Sequence, residues 1–118
     1  MKNHLDQLAD AVRAFCEERD WNQFHSPKDL AIGVSTEAAE LLELFRFKTD
    51  EDMNAMMKDP VMREAIGEEL ADVLYFLLRF SQLYEFDLTT EFIRKMRKNE
   101  LKYPVETAKG SNKKYISD

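Results

Sequence analysis

Apolar residues recur every three or four positions along four stretches of this chain, which predicts four amphipathic α-helices. The first three helices are expected at about residues 3–19, 27–48 and 60–85, and the fourth from about residue 88 or 90 to 103. No stretch alternates apolar and polar residues as a half-buried strand does, and glycine occurs only three times. The chain is therefore predicted to be all-α, a four-to-five-helix bundle.

The predicted helix starts carry strong local signals. Ser26-Pro27 and Asp59-Pro60 each combine an N-cap residue with a proline at the first helical position. The fourth helix has Asp87 or Thr89 as its cap. Between the second and third helices, polar residues 49–52 precede a short helical turn expected at 53–58.

Two pairs of acidic residues interrupt the apolar stripes. Glu37 and Glu40 are three residues apart on the second helix, and Glu69 and Asp72 have the same spacing on the third. At about 100° per residue, Glu37 and Glu69 each fall in the middle of an apolar sector, with Glu40 and Asp72 at the edges. The apolar residues within about 60° of Glu37 or Glu69 are Leu30, Val34, Leu41, Leu44, Ile66, Val73, Phe76, Phe80 and Leu83. Four carboxylates are thus predicted to point toward the core.

Carboxylates in apolar surroundings need neutralisation, because burying an ionised group is costly unless it is paired or binds a metal. The basic residues nearby lie away from the two sectors or at helix ends: Arg46, Lys48, Arg63 and Arg79. Oxygen ligands without Cys or His favour Mg²⁺ or Mn²⁺ over zinc. We therefore expect the facing helices to hold Mg²⁺, with Mn²⁺ as a substitute. The alternative is that some of these acids lie on solvated helix faces.

Composition narrows the function further. The 118 residues suit one domain, and the net charge of -6 argues against a binder of nucleic acid or of membrane surfaces. The longest apolar run, residues 73–78, is too short for a transmembrane helix, and the amino terminus does not resemble a signal peptide. The single Cys16 excludes an internal disulfide. It is expected to pack in the core of a protein of the reducing cytoplasm.

Further candidate contacts surround the acidic pairs. Trp21, Phe24 and His25 cluster before the second helix, and Phe47 closes it. Such aromatic residues are either core lids or surfaces on which a planar ring stacks. Asn99 lies on the apolar stripe of the fourth helix, where its amide either caps another helix or reads the edge of a base. Cationic residues there and in the tail, either a solvated face or phosphate clamps, are Arg94, Lys95, Arg97, Lys98, Lys102, Lys113 and Lys114.

The predicted domain covers residues 1–104, and residues 105–118 form a C-terminal arm. In the arm, a polar stretch at 109–114 precedes Tyr115 and Ile116. The arm is either a frayed terminus or a segment that docks on the domain or on a neighbouring subunit.

These motifs together carry a family resemblance. The run GVSTEAAELLELFRFK, followed by EELADVLYFLL, resembles the E-x-x-E and E-x-x-D signature of the all-α nucleoside triphosphate pyrophosphohydrolases, the MazG-like superfamily. The flanking stretches RDWNQFHSPKDL and KMRKNELKYPV, with the later KGSNKKY, are similar to the small dCTP pyrophosphatase branch. The likeness covers about residues 15–115, which is most of the chain.

The resemblance implies roles for individual residues. Glu37, Glu40, Glu69 and Asp72 match the catalytic Mg²⁺ ligands. The positions implied to contact the nucleoside, base or phosphates are Trp21, His25, Phe47, Lys48, Phe76, Lys95, Asn99 and Tyr103. Members of the family form dimers or dimers of dimers, so the resemblance implies a homo-oligomer, as large as a homotetramer.

Three residues depart from the family pattern. Thr36 stands where the fuller superfamily motif has another Glu, Phe47 where the dCTP branch tends to have Trp, and Phe76 where it tends to have Tyr. An indole and a hydroxyl near the base are therefore missing. The implied substrate is a (deoxy)nucleoside triphosphate, either dCTP-like or another dNTP, rather than strictly dCTP.

The implied activity is Mg²⁺-dependent hydrolysis of the triphosphate to the monophosphate and pyrophosphate, as nucleotide-pool housecleaning. Mg²⁺ would lower the pKa of the attacking water, which Glu37 or Glu40 would orient. Glu43, one turn further along, is either a partner of these acids or a plain surface acid. The alternative function is a non-enzymatic helical assembly or metal-binding module. A ferritin-like di-iron protein needs E-x-x-H pairs, which His4 and His25 do not provide.

Overall fold

The computed structural model describes residues 2–113, and this part of the chain folds into six α-helices and one short 3₁₀ turn, Asn22–Phe24. The helices are α1 His4–Glu18, α2 Pro27–Phe45, α3 Asp50–Met56, α4 Pro60–Leu83, α5 Leu88–Lys102 and α6 Val105–Ala108. The described residues contain no strand, which confirms the all-α prediction. The expected number of four to five helices was too low, because the predicted turn after α2 is a complete helix and α6 follows α5.

Helix starts lie where the capping signals place them. The Ser26 hydroxyl accepts a hydrogen bond from the Asp29 N–H, and the Asp29 carboxylate accepts one from the Ser26 N–H. Thr49 and Asp52 form the same reciprocal pair at α3. This cap starts α3 at Asp50, three residues earlier than predicted. Each such cap stabilises its helix by about 1 kcal/mol.

Helix ends are less visible in the sequence. Helices α2 and α4 end at Phe45 and Leu83, a few residues before the predicted ends. Just beyond them, Phe47 and Glu85 adopt positive φ angles of 63° and 60°. A left-handed residue at this position closes a helix, and it is most often glycine. Here glycine is absent from both positions, so the sequence carries no stop signal.

The chain divides into two units, Met1–Glu85 and Phe86–Asp118. In the first unit, α4 packs against both α1 and α2. Its buried apolar side chains are Cys16, Leu30, Met56, Ile66 and Leu78. Cys16 is free and fully buried, as the sequence predicts. The contact between α2 and α4 matters most for function, because each of these helices carries one acidic pair.

The second unit contains α5 and α6. Asp87 caps α5 by accepting a hydrogen bond from the Thr90 N–H, which selects the first of the two predicted caps. The predicted boundary between residues 104 and 105 stays a prediction, and α6 lies just beyond it. Lys114, Tyr115 and Ile116 of the predicted arm lie outside the described residues. Within residues 2–113, no helix is both long and apolar enough to span a lipid bilayer.

Candidate functional site

Packing of α2 against α4 brings three carboxyl groups together. Carboxylate oxygens of Glu37, Glu40 and Glu69 all lie within 4.8 Å of one another. This spacing allows one cation to contact all three side chains. Residues from two helices that are distant in sequence therefore form one acidic cluster.

Exposure of the four predicted ligands follows the helical wheel. Glu37 and Glu69, in the middle of their sectors, are half-buried, whereas Glu40 and Asp72, at the sector edges, are exposed. Asp72 is not one of the three clustered carboxyl groups, but it lines the same cavity as Glu37. The expectation that all four acids point into a core is therefore too strong, because two of them lie at its rim.

Two carboxylate oxygens of the clustered residues lack a donor. Oε2 of Glu37 and Oε2 of Glu69 are buried, and no N–H or O–H group in residues 2–113 donates to either. The guanidinium of Arg46 instead contacts the neighbouring Glu43 at 3.0 Å. A buried carboxylate oxygen needs a partner. Here the candidates are a proton held between carboxyl groups or a bound cation, so the donor set fits a hard divalent metal.

The cluster shifts the ionisation of its members. A hydrogen bond with the Glu40 carboxyl group, followed by burial and the charge of Glu40, raises the pKa of Glu37 to about 7. Burial, followed by a hydrogen bond with Glu40, also raises the pKa of Glu69. Both shifts indicate that the cluster without metal holds a proton at a pH where an isolated glutamate is ionised.

The stability of the metal-free protein should depend on pH, because the cluster holds this proton only in the folded state. Because the pKa of Glu37 is higher in the folded chain than in the unfolded one, its ionisation destabilises the fold as the pH rises from about 4 to about 7. Glu37→Gln removes this effect, since glutamine does not ionise. In EDTA, the melting temperature of Glu37→Gln minus that of the wild type should therefore increase from pH 5 to pH 8.

Two comparisons complete this test. Glu69→Gln should behave in the same direction, because its pKa is also raised. Added Mg²⁺ should stabilise the wild type more than either variant, because the ion binds the folded state. A difference in melting temperature that shrinks with increasing pH would contradict the assigned direction.

An aromatic cavity of about 310 Å³ adjoins the acids in the first unit. Its lining residues are Phe15, Trp21, His25, Glu37, Asp72, Tyr75 and Phe76. Phe15 meets Trp21 edge to face at 5.4 Å between ring centroids, and Tyr75 meets Phe76 in the same way at 4.9 Å. The cavity therefore combines packed aromatic side chains with carboxylates, which suits a ligand that has a planar ring and a metal-bound polar part.

The position of Phe76 depends on Gly33. A Cβ atom at Gly33 would lie 2.4 Å from the Phe76 ring, which is far inside van der Waals contact. Glycine at this position of α2 therefore creates the space that the ring of α4 occupies. The cavity wall is fixed by this close contact between backbone and ring.

Phe47 and Lys48 are the other predicted contacts in the first unit. Phe47 is 89% exposed and lies beneath the Arg46 guanidinium, at 4.7 Å from its ring centroid. Neither Phe47 nor the exposed Lys48 lines the cavity. Phe47 follows the C-cap residue Arg46, and its left-handed backbone closes α2, as expected.

Three other predicted contacts belong to the second unit. Lys95 is exposed on α5, and Tyr103 follows the end of that helix. Asn99 is half-buried, with its Nδ2 atom 3.9 Å from Sδ of Met96. Roles for these side chains in substrate binding stay predictions.

Sequence reasoning missed three residues around the cavity. Phe15 and Tyr75 line it, and the Tyr75 hydroxyl lies 3.1 Å from Sγ of the buried Cys16. Arg79 is fully buried and donates to Nδ1 of His25 at 3.0 Å. For Phe15 and Tyr75, the available signal was an aromatic residue close to a recognised motif. For Arg79, it was a cation inside an apolar run.

Comparison with known proteins places the chain in a family. The MazG-like family matches residues 32–117. The chain is 41% identical over 111 residues to dCTP pyrophosphatase 1 of Rattus norvegicus and 40% identical to that of Homo sapiens. These alignments cover 94% of this chain but only 65% of either relative, so the chain spans about two thirds of their length.

A solved structure agrees with these relatives. A pyrophosphatase from Archaeoglobus fulgidus, known from its crystal structure, superposes with a TM-score of 0.80 at 36% sequence identity. The match covers 88% of this chain and 95% of the archaeal chain. The resemblance predicted from the acidic motifs is therefore confirmed, and the chain belongs to the MazG-like family.

Proposed function

We propose that this chain hydrolyses (deoxy)nucleoside triphosphates to the monophosphate and pyrophosphate, in a reaction that depends on Mg²⁺. The observation that carries the proposal is the pair of buried, donor-free oxygens of Glu37 and Glu69 beside an aromatic cavity. A triphosphate needs metal to offset its charge, and a nucleoside needs an aromatic surface. The names of the relatives, dCTP pyrophosphatase 1 and pyrophosphatase, support the same reaction.

Glu37, Glu40 and Glu69 would hold the metal, and Asp72 would complete the set from the rim of the cavity. An oxygen-only donor set suits Mg²⁺, with Mn²⁺ as a substitute. Such a cation supplies charge neutralisation for the phosphates and a lower pKa for a coordinated water. The chain itself supplies the geometry, because helix packing fixes the carboxylates before the substrate arrives.

Glu37 and Glu40 are the candidates for orienting the attacking water. They lie one turn apart on α2, in the cluster whose carboxylate oxygens fall within 4.8 Å of one another. A carboxylate within hydrogen-bond reach of the water is suited to accept its proton. One of the two would receive the proton of the water while the other remains a metal ligand.

The aromatic side of the cavity would bind the nucleoside. Trp21 and Phe76 offer ring surfaces for stacking, and His25 adds a polar group to the same lining. We propose a dCTP-like or other deoxynucleotide substrate and a role in nucleotide-pool housecleaning. Phe47, Lys48, Lys95, Asn99 and Tyr103 are proposed as further contacts with the base or the phosphates.

The direct test is hydrolysis of individual nucleotides. Purified protein is incubated with Mg²⁺ and each canonical or base-modified dNTP, and both pyrophosphate and monophosphate are quantified. We expect equal amounts of the two products from at least one nucleotide and none in EDTA. Release of single phosphates, or no turnover of any nucleotide, would contradict the proposal.

A non-enzymatic helical assembly is the second candidate function. It is favoured by apolar side chains that remain exposed on the first unit, namely Leu42 at 62%, Val61 at 73% and Leu70 at 54%. Exposed apolar surface of this kind is typical of protein interfaces. We propose instead that this exposed surface is the interface of a homo-oligomer, a dimer or tetramer, of the enzyme. An assembly without turnover, unaffected by Glu69→Ala, would favour the second candidate.

A further inference from the structure

Arg79 is an unusual buried charge. Its side chain is 0% exposed. It donates from Nε to Nδ1 of His25 at 3.0 Å, from Nη1 to Oε1 of Gln82 at 2.7 Å, and from Nη2 to Oδ1 of Asn22. These three acceptors are neutral groups, although buried cations are usually paired with a carboxylate. The guanidinium thus connects α4 to the segment that carries His25.

The direction of the bond to His25 is fixed by chemistry. A guanidinium has five N–H donors and no acceptor, and it stays protonated in proteins. Nδ1 of His25 must therefore present its lone pair to Arg79. In the neutral ring, the single proton then lies on Nε2.

Other groups around His25 support a neutral ring. Burial, followed by the charge of Arg79, lowers the pKa of His25, and Asp29 opposes them more weakly. The backbone is held as well, because the carbonyl of His25 accepts a hydrogen bond from the Tyr84 hydroxyl at 2.8 Å. Ring and backbone are thus both anchored from α4 and the residue after it.

We propose that Arg79 is a positioning residue that fixes His25 in its Nε2–H tautomer, so that His25 offers the cavity a hydrogen-bond donor. Nε2, the ring nitrogen that remains for a ligand, then donates to an acceptor such as a carbonyl oxygen of a base. Because Nε2 already carries a proton, it cannot accept one from water. This inference deepens the proposed function by assigning the chemistry of one contact. It also excludes His25 as the general base.

The tautomer can be measured without any nucleotide. The chain has two histidines, so His4→Gln assigns the remaining ¹⁵N-imidazole signals of the full chain to His25. In the wild type, we expect Nδ1 to show the shift of an unprotonated nitrogen and Nε2 that of a protonated one. Arg79→Met should give a mixture of tautomers. A protonated Nδ1 in the wild type, or an unchanged tautomer in folded Arg79→Met, would overturn the proposal.

Gln82→Met is the matched control. Gln82 bonds to Arg79 and, through Nε2, to the carbonyl of Ala9 at 2.8 Å, but the described bonds include none to His25. Its replacement disturbs the buried network while leaving the bond between Arg79 and His25 in place. We expect the wild-type tautomer in this variant, and a change there would contradict a specific role for Arg79. Arg79→Gln replaces Arg79→Met if the latter does not fold.

Kinetics provide the functional reading. Loss of one hydrogen bond to the substrate should raise KM about tenfold in Arg79→Met, with a smaller change in kcat. His25→Gln, which keeps an N–H donor at the reach of Nε2, should retain more affinity than His25→Asn. An equal loss in both His25 variants would argue against a donor role. Absence of turnover in the wild type would instead defeat the proposed function, while the tautomer measurement would still decide the inference.

Discussion

Replacing Glu69 with glutamine is expected to reduce pyrophosphate release by about 10²-fold or more. A metal ion at a reacting phosphate contributes several kcal/mol of transition-state stabilisation, and each 1.36 kcal/mol corresponds to about a tenfold change in rate. Glutamine keeps the size of the side chain but has no negative charge, so the cluster of Glu37, Glu40 and Glu69 would hold a divalent cation more weakly. Initial rates at several Mg²⁺ concentrations measure the effect.

Glu64→Gln is the matched control for this variant. Glu64 lies on the same helix and is exposed, and it is outside both the carboxyl cluster and the cavity lining. We expect its rate to stay close to that of the wild type. Glu69→Gln should meanwhile keep or raise the melting temperature in EDTA, with the larger gain at higher pH, since it removes a group whose ionisation destabilises the fold. Similar rates for the two variants would show that the acidic cluster is not the site of the reaction.

The second large effect is expected at Gly33. Alanine there would place its Cβ 2.4 Å from the Phe76 ring, so ring and helix must move apart. Overpacking of this kind costs about 1–3 kcal/mol, which lowers the melting temperature by about 4–12 °C for a chain of this size. Because Phe76 lines the cavity, KM for the nucleotide should rise as well. Thermal unfolding and steady-state kinetics measure both effects.

Gly67 provides the comparison, because it lies in α4 and a Cβ there meets nothing within 4 Å. Alanine is the better helix former, so Gly67→Ala should stabilise the protein by about 0.5–1 kcal/mol. The two glycine variants thus have opposite expected signs. If Gly33→Ala were as stable as Gly67→Ala, the tight contact between α2 and Phe76 would not exist in solution.

Local chemistry made much of the fold predictable. Ser26 and Asp59 start their helices where the sequence indicates, because a cap side chain bonds to backbone groups only two or three residues away. The helix ends at Phe45 and Leu83 were not predictable in the same way. There the chain turns through left-handed non-glycine residues, which neighbouring structure must impose.

The acidic part of the site was predictable because it depends on helical periodicity, which is also a local property of the sequence. Helical periodicity alone ranks Glu37 and Glu69 as more buried than Glu40 and Asp72, and their exposures follow that order. Periodicity does not give distances between helices. It therefore left open that Asp72 lies outside the three-carboxylate cluster.

The aromatic part of the site was only partly predictable. Trp21, His25 and Phe76, which the family resemblance implies to contact the nucleoside, line the cavity, whereas Phe15 and Tyr75 were missed. Their role depends on packing between α1 and α4, which no local pattern encodes.

Arg79 shows the same limit. Its place outside the acidic sectors was recognised, but its complete burial was not. Its acceptors on His25 and Asn22 lie 54 and 57 residues away in sequence. A cation within an apolar run therefore looks like a surface residue until these distant partners are known.

The fully buried thiol of Cys16 makes the first unit easy to monitor. It is the chain's single cysteine, and it contacts Tyr75 in the cavity wall. An alkylating reagent reaches such a group only during transient opening of the surrounding helices. The rate at which the Cys16 thiol is labelled therefore reports how often the helices around it open.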